Sequence, residues 1–155
     1  MRFLGTGRTI KTRLGSLVAT LSVLGVVACG DSLTGVDTTT DDFIGAWNIT
    51  SLTFTPVDGG TAAEGLVGSA TIVFREDLTY TITFVEGTVT EVESGTFTVN
   101  GSTLTLTLAG DEPDVFTVTA LSSTGATLYS EDDSFDFNDD GAETAATLTV
   151  TLQRQ

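Results

Sequence analysis

The stretch Phe97–Leu108, FTVNGSTLTLTL, decides the fold class of this chain. Large apolar residues alternate with threonines on both sides of Asn100-Gly101, which is the period of a strand with one buried face. Asn-Gly is a strong hairpin signal, because both residues tolerate a positive φ. A two-residue turn at this point makes Phe97 face Leu104, so the apolar residues of the two strands share one face.

The same alternation runs through most of the chain after residue 42. A second hairpin is predicted at Glu86-Gly87, with Phe84 facing Val89 and Ile82 facing Glu91. The residues from Pro56 to Leu66 carry proline and repeated glycine and are predicted to form a long loop. Strands are predicted near Phe43–Thr55, Ala70–Phe74, Leu78–Phe84, Phe97–Val99, Leu104–Leu108, Phe116–Ala120, Ala126–Leu128 and Leu148–Leu152.

These strands follow one another with mostly short turns and no helical period between them. We therefore predict an all-β fold, a single antiparallel up-and-down meander of about eight strands. Eight strands can close into a barrel with room for a small ligand. The alternative arrangement is an immunoglobulin-like β-sandwich, in which the same strands form two facing sheets.

The N-terminal region has the pattern of a secretory signal: basic residues, then an apolar run from Leu14 to Ala28. This run is about 15 residues long, short of the roughly 20 that span a bilayer as a helix. Val26-Val27-Ala28-Cys29 resembles the lipobox of bacterial lipoproteins. The resemblance implies that residues 1–28 are removed, that Cys29 is acylated and that the membrane is reached through this lipid. Plain secretion, with cleavage after Ala28, is the alternative.

Residues 29–42 are small, polar and acidic, and are predicted to form a flexible tether ahead of a domain spanning residues 43–155. An aspartate directly after Cys29 would resemble the inner-membrane retention signal of bacterial lipoproteins. Gly30 stands there in this chain, so the outer membrane of the cell envelope is the expected location, on its periplasmic or surface side.

Charge limits the possible partners. Four of the six basic residues precede Cys29 and all 21 acidic residues follow it, which leaves the region from Cys29 onward with a formal charge of −19. Nucleic acid is excluded as a partner, since phosphate binding needs a basic surface. With a single cysteine, no intramolecular disulfide can form. The sequence does not identify a protein partner.

Two features of the predicted barrel resemble lipocalins. Gly45-Ala46-Trp47 on the first strand is similar to their Gly-x-Trp motif, and Phe74-x-x-Asp77-x-Thr79-Tyr80 is similar to a pattern of bacterial lipocalin-like domains. The resemblance implies that Arg154 on the last strand lies across Trp47. Strand alternation gives the same geometry independently, because the first strand of a closed meander begins where the last one ends. We expect this pair to close one end of the barrel, and most acidic residues to lie at the other.

The resemblance to lipocalins implies a binding protein, and the inward-facing residues then define a candidate ligand cavity. It comprises Tyr80, Ile82, Phe84, Glu91, Glu93, Phe97, Leu106 and Phe116. Glu91 and Glu93 share the alternation of Phe97, so they face inward unless a β-bulge near Ser94-Gly95 turns them to solvent; the bulge is the expected outcome. Small barrels can also fill completely with side chains, so a solid core is the alternative.

The segment from Asp136 to Gly141, DFNDDG, matches the opening of a calcium loop, with oxygen ligands predicted at Asp136, Asn138 and Asp140. Thr147 occupies the position at which a full loop has its closing glutamate. A solvated acidic loop is therefore the alternative to a Ca²⁺ site, and no other cofactor is indicated.

Catalysis is not expected. The chain contains no histidine, and the region after Cys29 contains no lysine, which removes the usual general bases and activated nucleophiles. We predict a lipid-anchored, extracytoplasmic binding protein for a small apolar, neutral or cationic amphiphilic ligand. The alternative is a non-catalytic structural or interaction module of the cell envelope with an acidic surface.

Overall fold

The computed structural model describes residues 35–66 and 68–155, which form an antiparallel barrel preceded by one helical turn. The predicted signal sequence and Cys29 lie outside the described residues. None of the helices in the described part has the length and apolar character needed to cross a membrane. The elements are α1 (Thr40–Phe43), β1 (Gly45–Pro56), β2 (Ala63–Glu64), β3 (Ser69–Phe74), β4 (Thr79–Glu86), β5 (Val89–Asn100), β6 (Thr103–Leu108), β7 (Asp114–Leu121), β8 (Gly125–Phe135) and β9 (Thr144–Arg154).

Strands β3 to β9 pair antiparallel in sequence order, and β1 closes the ring by pairing with both β3 and β9. The two-residue strand β2 pairs with the second half of β1, beyond the part that β3 covers. Eight strands thus form one closed barrel rather than two facing sheets. The predicted fold class is confirmed, and the sandwich alternative is wrong.

Strand alternation places the apolar residues inside the barrel. On β4, Tyr80, Ile82 and Phe84 are buried, whereas the threonines between them are only partly covered. Each buried side chain of this size contributes roughly 1.5–3 kcal/mol to folding. Among the residues that the structure describes, twenty-two buried apolar side chains form a single core cluster.

Both predicted hairpins form, but their turns lie one residue later than predicted. The loops are Gly101-Ser102 and Gly87-Thr88, so Phe97 pairs with Leu106 and Phe84 pairs with Glu91. Each glycine is the first loop residue, with φ of 58° and 59°, and the residue after it does not have a positive φ. A type II′ turn requires this combination, and its twist matches that of the strands. The shift moves each register by two residues, so the same side chains still face inward.

Several predicted element bounds were wrong. Phe43 lies in α1 rather than on the first strand. Leu78 occupies a turn with φ of 64° and is 42% exposed. Strand β8 continues to Phe135, well beyond the predicted end at Leu128. A register shift between Val118 and Ala120 turns Ala120 outward.

The residues directly ahead of the barrel are bound to it, contrary to the predicted tether. Thr38 is buried and forms an isolated bridge with Gly101, and its hydroxyl donates to the Gly101 carbonyl at 2.7 Å. The Val36 N–H donates to the carbonyl of Val118, also at 2.7 Å. Helix α1 then places the buried ring of Phe43 in the barrel end. The tether prediction can therefore apply only to residues before 35, which lie outside the described residues.

Candidate functional site at the open end of the barrel

The two ends of the barrel differ in chemistry. The turn at Arg75–Leu78, the Gly101-Ser102 turn and the C-terminal residues lie at the end that carries α1, as the strand pairings require. The connections after β1, β4, β6 and β8 lie at the opposite end, which we call the mouth. Asp58, Glu86, Asp111, Glu112, Asp132, Asp139, Asp140 and Glu143 are among the acids in or beside these connections.

The closed end is sealed by a stack of Arg154 on Trp47. The Arg154 Cζ lies 4.1 Å from the centre of the indole, and the two residues are direct cross-strand partners. The guanidinium also donates to the carbonyls of Ile44 and Asp42, and the indole N–H donates to the carbonyl of Phe43 at 2.7 Å. The predicted juxtaposition is confirmed, and it leaves both side chains with structural partners.

The barrel wall is uneven at the mouth. Strand β5 pairs with β4 from Val89 to Thr96, but its pairing with β6 begins only at Gly95. The edge from Val89 to Ser94 therefore has no partner strand among the described residues on that side. Strand β6 ends at Leu108, so the wall is lower at the β6–β7 hairpin. We call this lower part of the wall the notch.

The interior is nearly filled. It contains an apolar cavity of about 20 Å³, enough space for about one water molecule. Three of the predicted cavity residues, Ile82, Leu106 and Phe116, line this space. Tyr80 and Phe97 are fully buried in the core, and Phe84 is 7% exposed. The remaining lining residues are Ile49, Leu52, Ile72, Leu128, Val150 and Leu152.

Glu91 and Glu93 face the interior side of β5. Their direct partners are the buried residues Phe84 and Ile82, and Val92 between them is 61% exposed on the outer face. The register is continuous from Thr79↔Thr96 to Glu86↔Val89, so the bulge expected near Ser94-Gly95 is absent. That expectation was wrong, and the inward alternative describes the structure.

Tyr80 and Glu93 carry the unsatisfied polar atoms of this region. Tyr80 is completely buried, and neither its hydroxyl nor Glu93 Oε2 has a hydrogen-bond partner among the described residues. The Tyr80 ring crosses β5 over Gly95, where an added Cβ would lie 2.9 Å from the ring carbon Cε1. The same Cβ would collide with the backbone carbonyl oxygen of Thr107 on β6, so glycine is needed at this position for the close approach of β5 and β6 as well as for the Tyr80 ring.

Two further acidic residues, Asp114 and Asp111, lie near the notch. Asp114 begins β7 and is the direct partner of Leu106, which lines the cavity. Burial raises the pKa of Glu93, and the nearby carboxylates of Glu91, Asp111 and Asp114 raise it further. Burial also raises the pKa of Asp114, with a second contribution from Asp111. The pKa of the Tyr80 hydroxyl is raised by burial and then by Asp114, Glu93 and Asp111, so it is neutral at physiological pH.

Comparison with known proteins agrees with this architecture. A family model described as a lipocalin-like domain matches residues 43–128, more than half of the chain. The chain belongs to the lipocalin-like domain family. No curated protein is significantly similar to it in sequence.

Solved structures share the fold of this lipocalin-like domain at low sequence identity. Insecticyanin from the tobacco hornworm Manduca sexta is 17% identical, with a TM-score of 0.56 over 81% of this chain and 68% of its own. An uncharacterized protein from Bacteroides eggerthii is 13% identical, with a TM-score of 0.51 over 73% of this chain and 99% of its own. Identities this low indicate a shared fold alone.

An aromatic cluster covers the other side of the mouth of the lipocalin-like barrel. The rings of Phe54 and Phe135 stack at 4.4 Å and 18°, and Phe137 meets Phe135 edge to face at 5.1 Å. The sequence did not predict this cluster, because Phe135 lies beyond the predicted strand end at Leu128 and Phe137 lies in the acidic loop from Asp136 to Gly141. The mouth therefore combines an apolar side with the acidic notch.

Hydrogen bonds between the Asp136 side chain and backbone N–H groups hold the acidic loop after β8 in place. Asp136 is buried, and its carboxylate accepts hydrogen bonds from the N–H groups of Asn138, Asp140 and Gly141 at 2.9–3.3 Å. Within residues 35–66 and 68–155, no group of three or more acidic, histidine or cysteine side chains is placed to hold a metal. Calcium binding by Asp136, Asn138 and Asp140 stays a prediction, and the loop geometry has an explanation without it.

Two half-buried acids were missed as site residues. Asp114 has the same alternation as the inward residues Phe116 and Val118, so that signal was present in the sequence. Asp133 follows a register shift between Ser130 and Asp133, which alternation does not reveal. Burial raises the pKa of Asp133 to about 6. The hydrogen bond that the Ser134 N–H donates to its carboxylate lowers this pKa, whereas the negative charges of Asp114 and Glu143 raise it further.

Proposed function

We propose that this protein is a lipid-anchored, extracytoplasmic binder of a small amphiphile with a short apolar part and a neutral or positively charged group. Barrels of the lipocalin-like family typically bind small hydrophobic ligands, and members are generally non-enzymatic. The supporting observation is one of register: Ile82 and Leu106 line the apolar cavity, and their direct cross-strand partners are Glu93 and Asp114. The apolar cavity inside the barrel thus adjoins the acidic groups of the notch.

The cavity volume restricts the ligand. A space of about 20 Å³ holds one water molecule and no alkyl chain, so the apolar part enters only if neighbouring side chains move. The aromatic cluster of Phe54, Phe135 and Phe137 borders the mouth and supplies side chains that could change rotamer. Anionic amphiphiles such as fatty acids would be repelled by the surrounding carboxylates.

The same small volume favours a second candidate function, a non-catalytic interaction module of the cell envelope with a filled core. Native mass spectrometry of the protein purified from its producing cells separates the two functions. A co-purifying small molecule supports the binding protein. A bare protein mass, together with no mass gain on addition of neutral, cationic and anionic amphiphiles, supports the interaction module.

Lipid anchoring at Cys29 has its own test. In a bacterial host grown with radiolabelled palmitate, the full chain should incorporate label and partition with the outer membrane. The variant Cys29→Ser should incorporate none and remain in the signal-bearing form. Equal labelling of the two proteins, or release of the unsubstituted chain as a soluble protein, would show plain secretion instead.

A further inference from the structure

The notch brings together a hydroxyl and a carboxylate that lack partners. Tyr80 is fully buried, and within the part of the chain that the structure describes neither its hydroxyl nor the buried Glu93 Oε2 has a hydrogen-bond partner. The two groups therefore do not hydrogen bond to each other. An unsatisfied buried polar group destabilises the folded protein, so binding of a group that hydrogen bonds to both atoms would be favoured.

The hydrogen-bonding capacity of the Glu93 carboxylate and the Tyr80 hydroxyl indicates which ligand group could bind them. Glu93, when ionised, only accepts hydrogen bonds, and the Tyr80 oxygen can accept one as well. A protonated primary amine carries three N–H donors and a positive charge. Asp114 and Asp111 lie close enough to the pair to add negative potential without taking up its hydrogen bonds.

We infer that the notch is a subsite for a primary ammonium group, which donates hydrogen bonds to Glu93 and to the Tyr80 hydroxyl. Ligands would enter over the low β6–β7 hairpin, beside the strand edge Val89–Ser94. The attached apolar chain would then point along Ile82 and Leu106 into the small cavity, since these residues pair directly with Glu93 and Asp114.

A metal ion fits these residues less well than an ammonium group does. Across the described part of the chain, acidic side chains nowhere converge in the threes that a metal site needs. A quaternary ammonium group also fits less well, because it has no N–H to donate to the Tyr80 oxygen and Glu93 Oε2. Selectivity for a primary amine over its trimethylated form therefore distinguishes hydrogen bonding from simple attraction to negative charge.

This assignment rests on the proposed function, since it names the polar group of the same ligand. Titrations of the full chain with n-hexylammonium, n-hexanol, hexanoate and hexyltrimethylammonium, followed by NMR or calorimetry, test both. We expect hexylammonium to bind at least about tenfold more tightly than hexanol or hexyltrimethylammonium, and hexanoate to bind most weakly.

Substitutions test which residues bind the ammonium group. Glu93→Gln should weaken hexylammonium binding about tenfold or more and hexanol binding by a clearly smaller factor, because hexanol carries no charge, and Tyr80→Phe should weaken hexylammonium binding severalfold. The matched control is Glu112→Gln, which removes the same charge from an exposed position on the β6–β7 connection and should have little effect. Melting temperatures confirm that each variant is folded.

The outcomes separate the subsite from the function. Binding of hexanol as tight as that of hexylammonium, or equal losses in Glu93→Gln and Glu112→Gln, would overturn the ammonium subsite while leaving an amphiphile binder. In that case a water molecule satisfies the two oxygens, or the acidic surface attracts cations without a specific site. Binding of none of the four compounds would overturn the proposed function and the subsite with it.

Discussion

Arg154 is the residue that most directly ties the two ends of the chain together. Its guanidinium stacks on Trp47 and donates to two backbone carbonyls ahead of β1. The stack stabilises the folded protein by about 0.5–2 kcal/mol, and each hydrogen bond from the charged guanidinium stabilises it further. Strand alternation and the lipocalin resemblance were enough to predict this contact, because the Trp47–Arg154 pair lies in the regular part of the β1–β9 pairing, ahead of the register shift between Ile49 and Ser51.

Replacing Arg154 should destabilise the whole barrel. We expect Arg154→Ala to lower the free energy of unfolding by about 2–4 kcal/mol, measured by urea denaturation. The control is Arg75→Ala, which removes the other arginine of the described part; that residue donates to Thr81 on the surface, and its loss should change stability by about 0.5 kcal/mol. Equal effects of the two substitutions would contradict a structural role for the stack.

Asp133 gives a residue-scale prediction of pH dependence. Its pKa is raised by burial to about 6 from 3.8, so the folded state binds this proton more tightly than the unfolded state. Stability from this residue is therefore present below about pH 4 and lost as the pH rises through 6. Asp133→Asn should raise the free energy of unfolding by about 1–3 kcal/mol at pH 7, with the difference disappearing near pH 4.

The neighbouring substitution Asp132→Asn provides the control for Asp133. Asp132 is exposed, and its replacement removes the same charge from the same strand without changing a buried group. Denaturation curves of both variants at pH 4 and pH 7 measure the effect. A gain in Asp132→Asn as large as that in Asp133→Asn would show that overall charge repulsion, rather than burial, destabilises the protein. The burial of Asp133 could not be predicted, because it depends on an irregular pairing with β9.

At the scale of elements, strand faces were predictable and exact registers were not. Alternation of apolar residues and threonine determines which side chains face inward, and a shift of two residues preserves that pattern. The choice between Asn100-Gly101 and Gly101-Ser102 as the turn depends on the backbone twist at glycine, which composition does not reveal. Glu93 and Tyr80 still reach the interior because the two-residue shift keeps their face.

Helix α1 was also missed, because four residues are too few to show a helical period. Its ring Phe43 meets Phe74 edge to face at 5.7 Å and is completely buried at the closed end. We expect Phe43→Ala to lower the free energy of unfolding by about 3–5 kcal/mol in urea denaturation, through lost burial and the cavity it leaves. Val57→Ala, at a position 58% exposed, is the control and should change stability by about 0.5 kcal/mol. A loss below 1 kcal/mol in Phe43→Ala would show that α1 does not close the barrel.

At the scale of the whole molecule, residues 43–155 form a barrel sealed by Trp47, Arg154 and Phe43 at one end and acidic at the other. A lipid at Cys29 would attach ahead of the closed end, since residues 36–43 are bound there, and the mouth would then face away from the membrane. The strand order and the closure of the barrel followed from the sequence. The filled interior did not, because cavity volume depends on how the side chains pack rather than on which of them face inward.

Intermolecular nuclear Overhauser effects between n-hexylammonium and the methyl groups of the protein test the central claim most directly. A ligand whose ammonium group lies at the notch should show contacts from its alkyl protons to Ile82 and Leu106, at the junction of the apolar cavity and the acidic mouth. Contacts confined to exposed residues such as Val57 and Val115, with none to the interior methyls, would contradict a binding site inside this barrel.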